Sequence, residues 1–185
     1  ECELLTVVDK MYWPSAAVTF EYDNKLMLNS YVDSGYKPVP ITEKNKHAIE
    51  LFLAHIKNTL SDEKEQTILL DWLAYVVQNA GKRINWAILL QGAQGTGKSY
   101  FAKVLEWVLG SNAKSLDPSA LGERFTGWAH GAVVNIVEEI RIKGDDKWRI
   151  MDRLKPFITN SMVQIEEKGR DHRTVPNFTN YLLLT

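Results

Sequence analysis

The chain has 185 residues, 45% hydrophobic and 24% charged, which is ordinary for one soluble domain with a sizeable core, or one domain plus a small appendage. Its formal net charge is −1, so bulk charge gives no attraction to nucleic acid or a membrane, and any such partner must be met by a local basic patch. The single cysteine, Cys2, excludes a disulfide framework, and no signal peptide or membrane-spanning apolar run is visible, so we expect a cytoplasmic protein with no membrane partner.

The beginning of the chain predicts a β-hairpin. Residues 16–22 and 25–31 have the composition of strands, and Asp23-Asn24 between them is a favourable turn. Prolines then mark an irregular connector.

Two helices are predicted next. Thr42 is a good N-cap for a helix that runs to about Leu60 and has one apolar face. Ser61 is expected to cap a second helix, which runs to about Asn79 and is closed by Gly81. Because the second helix is apolar nearly all round, we expect it to be buried on several sides or to pack against a neighbouring subunit.

The most informative feature is the glycine-rich loop of residues 92–99, with the sequence GAQGTGKS. It follows an apolar run, precedes a helical pattern and matches G-x-x-x-x-G-K-[S/T], the phosphate-binding loop motif. Its glycines let successive backbone amides point at one centre, and the following helix adds the positive end of its dipole. Lys98 would reach the β- and γ-phosphates of ATP, and the Ser99 hydroxyl would take one Mg²⁺ position. The expected nucleotide-binding residues are Gly92, Ala93, Gln94, Gly95, Thr96, Gly97, Lys98, Ser99 and Tyr100. The alternative is a turn that merely joins a strand to a helix.

Buried strands and helices alternate after this loop. The predicted elements are a helix closed by Gly110, a strand at 113–116, a short helix opened by Asp117-Pro118, a strand at 132–137, a helix from Asp145 or Asp146 to about Phe157, a hairpin of 162–167 with 173–175, and a strand at 181–185. Such alternation predicts an α/β fold with a largely parallel sheet. We therefore assign residues 81–185 to a phosphate-loop NTPase core with helices on both faces of the sheet, and residues 1–80 to a small α/β and helical appendage.

Two carboxylates, Glu138 and Glu139, follow the strand at 132–137. The carboxyl ends of parallel strands meet at one sheet edge, so this pair can face the glycine-rich loop. We assign Glu138 to Mg²⁺, and Glu139, with Lys98, to catalysis, Glu139 orienting the attacking water. On its own the pair could equally be a solvated strand end.

The hairpin around Gly169 places several cations at one turn: Lys168, Arg170, His172 and Arg173. Cations at a projecting tip can follow a phosphate backbone without reading sequence. Three neighbouring acids dilute this charge, so a solvated loop is the alternative.

Histidines and tryptophans are not assigned to chemistry. We expect surface or packing roles for His47, His55 and His130, which lack metal-ligand spacing. We expect core positions for Trp72, Trp86, Trp107 and Trp128.

The order of these motifs resembles the superfamily 3 helicase domain of phage and plasmid primase-helicases, within the AAA+ ATPases. The resemblance rests on residues 85–99, 132–139, 154–159 with 163–173, and 177–185. It implies an AAA+-like core that moves along single-stranded DNA by hydrolysing ATP between the subunits of a ring, usually a hexamer. Lys98 and Ser99 match its Walker A motif, Glu138 and Glu139 its Walker B motif, and Lys168 is the best match in its DNA-gripping hairpin.

The resemblance also implies parts that this chain does not contain. The family's sensor asparagine and arginine finger would lie beyond Thr185, and a primase or polymerase domain would precede Glu1. Both ends look cut from a longer protein, so we expect this chain to bind nucleotide but to hydrolyse it poorly. The implied location is the cytoplasm of the bacterial host.

Two other functions stay open. An initiator or loader could use ATP to assemble a ring on DNA without processive unwinding. A small-molecule kinase also begins with a phosphate loop, although no arginine-rich lid is visible before Thr185.

Overall fold

Helices and strands alternate along most of the chain. The structure, a computed structural model, describes residues 6–14, 16–138, 146–169 and 171–185. The helices are α1 (Glu43–Thr59), α2 (Glu63–Gln78), α3 (Ser99–Leu109) and α4 (Asp146–Thr159), and short 3₁₀ turns cover Gly110–Asn112, Pro118–Gly122 and Gly127–Ala129. The strands are β1 (Asp9–Met11), β2 (Thr19–Tyr22), β3 (Lys25–Asn29), β4 (Ile88–Leu90), β5 (Ala113–Leu116), β6 (Val134–Val137), β7 (Met162–Ile165), β8 (Arg173–Pro176) and β9 (Asn180–Leu184).

A four-stranded parallel sheet in the order β4-β9-β6-β5 organises the fold. Its two central strands, β6 and β9, are buried along their whole length, as expected for a parallel sheet covered on both faces. The predicted α/β fold with a parallel sheet is confirmed. Because the strands are parallel, β4, β6 and β9 all end at the same edge.

Side chains of the central strands alternate between two apolar clusters, one on each face. The first cluster contains Val134, Ile136, Leu182 and Leu184. The second contains Val137, Tyr181 and Leu183. This alternation shows that each face of the sheet has its own core.

Helices α1, α2 and α3 cover the face with the first cluster. Trp72 of α2 is 2% exposed, and Phe101 and Leu105 of α3 are buried beside it. Ile56 of α1 belongs to the same cluster. Residues on both sides of position 80 therefore share one apolar core, and the division into an appendage and a core at that point stays a prediction.

Helix α4 and the β7–β8 hairpin cover the other face. Leu154 of α4 and Val163, Ile165 and Val175 of the hairpin are buried in the second cluster. The hairpin strands pair antiparallel, as predicted from their sequence. The DNA-binding hypothesis thus concerns a hairpin whose base is fixed to the core.

A small sheet in the order β1-β3-β2 precedes the helices. The predicted hairpin is confirmed, with Asp23 at φ 52° and Asn24 at φ 55° between its strands. Two consecutive positive φ angles are typical of a type I′ turn, whose twist matches that of the flanking strands.

The start of α2 differs from its prediction. Asp62, not Ser61, is the N-cap, and its carboxylate accepts hydrogen bonds from the amides of Lys64 at 2.7 Å and Glu65 at 3.1 Å. The prediction of Ser61 was wrong by one residue because both side chains are good caps, and only the backbone conformation selects between them.

Two tryptophans also differ from their prediction. Trp86 is 48% exposed and Trp107 is 68% exposed, so their assignment to the core was wrong. Trp86 precedes the edge strand β4, and Trp107 lies on the face of α3 opposite its buried residues. Trp72 is in the core as predicted, and Trp128 is half-buried against Phe157, with ring centroids 5.0 Å apart.

Among the described residues, no helix combines the length and apolar character that crossing a bilayer requires.

Candidate functional site

The glycine-rich loop, residues 92–99, turns sharply between β4 and α3. Gly95 has φ 84° and Gly97 has φ 87°, backbone conformations that residues with a side chain rarely adopt. These two positions let the loop curl over the amino end of α3. The predicted strand–loop–helix context is therefore present.

Lys98 folds back onto this loop. Its Nζ donates to the carbonyl oxygens of Gly92 and Ala93, each at 2.8 Å, and lies 3.3 Å from Thr96 Oγ1. The Thr96 hydroxyl in turn donates to Ala93 O at 3.0 Å. The ammonium group is thus held at the mouth of the loop by exposed hydrogen bonds that another acceptor could replace.

Ser99 and Glu138 meet at the sheet edge. Ser99 Oγ donates to Glu138 Oε2 at 2.7 Å, although the residues are 39 positions apart. Ser99 begins α3, and Glu138 directly follows β6. The structure therefore brings together the two side chains predicted to hold a metal. Glu139, predicted to act in catalysis, lies outside the described residues.

A cavity of about 430 Å³ opens between the glycine-rich loop and the ends of β6 and β9. Its lining residues are Gly92, Gln94, Gly95, Thr96, Gly97, Lys98, Ser99, Glu138, Leu184 and Thr185. Of the predicted nucleotide-binding residues, Ala93 and Tyr100 are not part of this lining. Thr185 lines the cavity beside the loop, and its amide donates to Leu90 O at 3.1 Å.

Helix α1 contributes a contact to the loop that the sequence did not reveal. His55 Nε2 lies 3.0 Å from Gly97 O, and the His55 ring packs on Tyr100 at a centroid distance of 4.8 Å. The expectation of a packing role for His55 is confirmed. Its target was missed because nothing in the spacing of residues 42 positions apart indicates contact.

At the β7–β8 hairpin, acids face several of the predicted DNA-binding cations. Arg173 Nη2 lies 3.0 Å from Glu167 Oε2, and the Arg173 side chain is only 27% exposed. His172 Nε2 lies 3.7 Å from Glu166 Oε2. The same Glu166 carboxylate also pairs with Arg124.

The tip of the same hairpin is more open. Lys168 is exposed in the turn beside Gly169, whose φ is 76°. Arg170 lies outside the described residues. Among the described cations of the hairpin, Lys168 is therefore the one most available to an external phosphate.

A third histidine, His130, is partly buried. Burial, together with the positive charges of Arg173 and Lys114, lowers the pKa of His130 to about 4. Lys114 Nζ donates to His130 O at 3.1 Å, and burial lowers the pKa of Lys114 although Glu167 opposes the shift. His130 is therefore neutral near pH 7 and supports packing, as expected.

Residues 90–185, just over half of the chain, match the model of a protein family described as a family of unknown function, DUF5906. The chain belongs to this family. In this DUF5906 chain the matched segment contains the glycine-rich loop, Glu138 and the hairpin, whereas α1 and α2 precede it.

The chain is also similar to a phage DNA primase-polymerase. It is 23% identical over 177 residues to the DNA primase-polymerase of Nitratiruptor phage NrS-1, across 93% of this chain and 24% of that protein. The chain thus spans about a quarter of the length of this curated relative.

Two solved structures share the fold. The apo structure of the NrS-1 C-terminal region (305–718) superposes with a TM-score of 0.79 at 20% identity, over 95% of this chain and 42% of that one. An A-form apo structure of the same region gives a TM-score of 0.76 at 20% identity, over 95% of this chain and 41% of that one. At this identity the likeness establishes only the fold, and the chemistry has to be inferred from the residues of the site.

Proposed function

We propose that this chain binds ATP and Mg²⁺ at the glycine-rich loop and is the ATPase motor of a phage or plasmid replication protein, an AAA+-like helicase that moves along single-stranded DNA. The observation that carries the proposal is the 2.7 Å contact between Ser99 Oγ and Glu138 Oε2 at the mouth of a loop with two left-handed glycines. A turn that only joined a strand to a helix would not need an acid from another strand at this point.

The loop and α3 supply what a triphosphate requires. Backbone amides of the curled loop and the amino end of the eleven-residue α3 favour an anion. Lys98 already lies at the loop mouth, where its bonds to Gly92 O and Ala93 O can be exchanged for phosphate oxygens. Charge-assisted bonds to phosphate are stronger than those to neutral carbonyls, so the exchange is favourable.

Ser99 and Glu138 fit Mg²⁺ in chemistry and number. Both offer hard oxygen ligands, and Mg²⁺ in proteins takes one or two carboxylates and completes its shell with water and phosphate oxygens. Within the described parts of the chain, no group of three or more His, Cys, Asp or Glu side chains could hold a metal ion unaided. Bound Mg²⁺ would neutralise phosphate charge during hydrolysis. Glu139 would orient the attacking water.

DNA and further subunits complete the proposal. The similarity to a DNA primase-polymerase supports a replication role, and the exposed Lys168 supports a phosphate contact at the hairpin tip, with Arg170, His172 and Arg173 as further candidates. We propose a ring, hexameric as in the superfamily 3 helicases, with a linked primase or polymerase domain, in the host cytoplasm. An arginine from the adjacent subunit would complete each ATP site and can raise the rate by about 10³-fold or more.

The test compares nucleotide binding and turnover in matched variants of the longest expressible form of the protein. Lys98→Ala should abolish Mg·ATP binding, whereas Glu139→Gln should retain binding and lose hydrolysis. DNA-stimulated hydrolysis with directional unwinding would support the motor. Wild-type hydrolysis by Glu139→Gln would contradict the catalytic assignment.

Two results would redirect the proposal. ATP-dependent assembly on DNA without unwinding would indicate an initiator or loader. Transfer of the γ-phosphate to a small acceptor in the absence of DNA would indicate a kinase.

A further inference from the structure

Helix α1 places two side chains, one helical turn apart, on the backbone of the glycine-rich loop. His55 Nε2 lies 3.0 Å from Gly97 O, and Thr59 Oγ1 lies 3.4 Å from Thr96 O. Residues four apart lie on the same face of a helix, so both contacts come from one side of α1. A carbonyl oxygen only accepts hydrogen bonds, so the Nε2–H of His55 is the donor to Gly97 O. The Thr59 hydroxyl has one proton, which it donates to His55 O at 2.9 Å, and Thr96 O at 3.4 Å is its weaker second acceptor.

The His55 ring is fixed from two sides. Its centroid is 4.8 Å from that of Tyr100 and 5.1 Å from that of Phe101, both in the first turn of α3. On the other side it covers Gly97 so closely that a Cβ atom there would lie 2.3 Å from His55 Cε1. A side chain at position 97 would therefore have to displace the His55 ring.

These contacts act on two successive peptide groups, and the one to Gly97 O adds to the hydrogen bond that this oxygen accepts from the Tyr100 amide at 3.0 Å. In a trans peptide the carbonyl and the following amide point in opposite directions. Thr96 O and Gly97 O both point towards α1, so the amides of Gly97 and Lys98 point away from it. Consecutive amides directed to one side form the concavity that binds anions.

We propose that His55, with a weaker contribution from Thr59, is a positioning residue that pre-organises the glycine-rich loop for phosphate and makes α1 part of the nucleotide site. The inference rests on the proposed function of this loop. Peptide groups that are already oriented need less ordering when a ligand binds, so the two side chains increase affinity without touching the nucleotide. Both residues precede the segment that the DUF5906 model matches.

The experiment measures the Kd of the fluorescent analogue mant-ATP with Mg²⁺ for the wild-type chain and five variants. His55→Ala should raise Kd about five- to tenfold, which corresponds to the loss of one partly buried hydrogen bond. His55→Gln should recover most of the affinity, because its amide nitrogen stands as many bonds from the backbone as Nε2. Thr59→Val should raise Kd only about twofold, since the contact of the Thr59 hydroxyl with Thr96 O is long, exposed and shared with His55 O. His47→Ala, on an exposed position of α1, is the matched control and should match the wild type.

Thermal unfolding without nucleotide separates positioning from folding. The inference predicts that His55→Gln unfolds like His55→Ala, having lost the same ring contacts, but binds mant-ATP like the wild type. If His55→Ala does not fold, Thr59→Val, which leaves the His55 ring contacts in place, carries the comparison. The positioning role would be refuted if His55→Ala and Thr59→Val bound mant-ATP with wild-type affinity. It would also be refuted if His55→Gln bound as weakly as His55→Ala.

A fifth variant, Lys98→Ala, separates this inference from the proposed function. If the wild type binds mant-ATP, Lys98→Ala does not, and His55→Ala binds normally, only the inference fails. If the wild type itself binds no mant-ATP, the proposed function and the inference fail together.

Discussion

The close approach of His55 to Gly97 makes a quantitative prediction for Gly97→Ala. At φ 87° an alanine costs about 1–2 kcal/mol in backbone strain alone. The new Cβ would also lie 2.3 Å from His55 Cε1, and overpacking of this kind costs about 1–3 kcal/mol. We therefore expect Gly97→Ala to lower the free energy of unfolding by about 2–5 kcal/mol.

Gly95→Ala is a matched control for this substitution. Gly95 has nearly the same φ, 84°, but a Cβ there meets no atom within 4 Å. Only the backbone term applies, so we expect a loss of about 1–2 kcal/mol.

A double-mutant cycle isolates the steric term. In a His55→Ala background the ring is gone, so Gly97→Ala should cost only the backbone term of about 1–2 kcal/mol. The cycle should therefore give a coupling of about 1–3 kcal/mol for position 97 and none for position 95. Urea unfolding followed by tryptophan fluorescence measures each corner. Additive losses at position 97, or equal losses at 97 and 95, would refute the packing of α1 on the loop.

Three further predictions concern other parts of the fold. The pKa of His130 is lowered from 6.5 to about 4, so between these pH values the unfolded chain binds a proton that the folded chain does not. The free energy of unfolding should therefore fall as the pH drops through this window, by up to about 3 kcal/mol, and His130→Gln should remove that slope in urea titrations at pH 4.5 and 7. Asp62→Ala, which removes the cap of α2, should destabilise the chain by about 1 kcal/mol in the same assay, whereas Ser61→Ala should not. Lys168→Ala should weaken single-stranded DNA binding and reduce the slope of log K against log salt concentration by about 0.7, and an unchanged slope would remove Lys168 from the DNA contact.

The contacts of α1 show that residues before the segment matched by the DUF5906 model also contact the glycine-rich loop. The DUF5906 segment contains the loop and Glu138, yet the loop's carbonyls are held by a helix outside that segment. A fragment limited to residues 90–185 would also expose the apolar surface that α2 covers with Trp72 and Leu73. We therefore expect the preceding helices to be needed for a stable site.

Much of the local structure was determined by the sequence itself. The Asp23-Asn24 turn, the buried strand β6, the hairpin around Gly169 and the strand–loop–helix at residues 92–99 were all predicted correctly. Each depends on the conformational preferences of a few adjacent residues or on the period of apolar side chains, and both are visible along the chain.

The tertiary structure determined which distant segments contact one another and which side chains remain exposed. It placed Ser99 Oγ 2.7 Å from Glu138, seated His55 on Gly97, paired Arg173 with Glu167, and left Trp86 and Trp107 exposed. None of these contacts follows from local preference, because each depends on strand order and on which helix covers which face. The phosphate-binding motif occupies eight consecutive residues, but the groups that contact it from elsewhere come from helix α1 and the end of β6, which only folding brings to the loop.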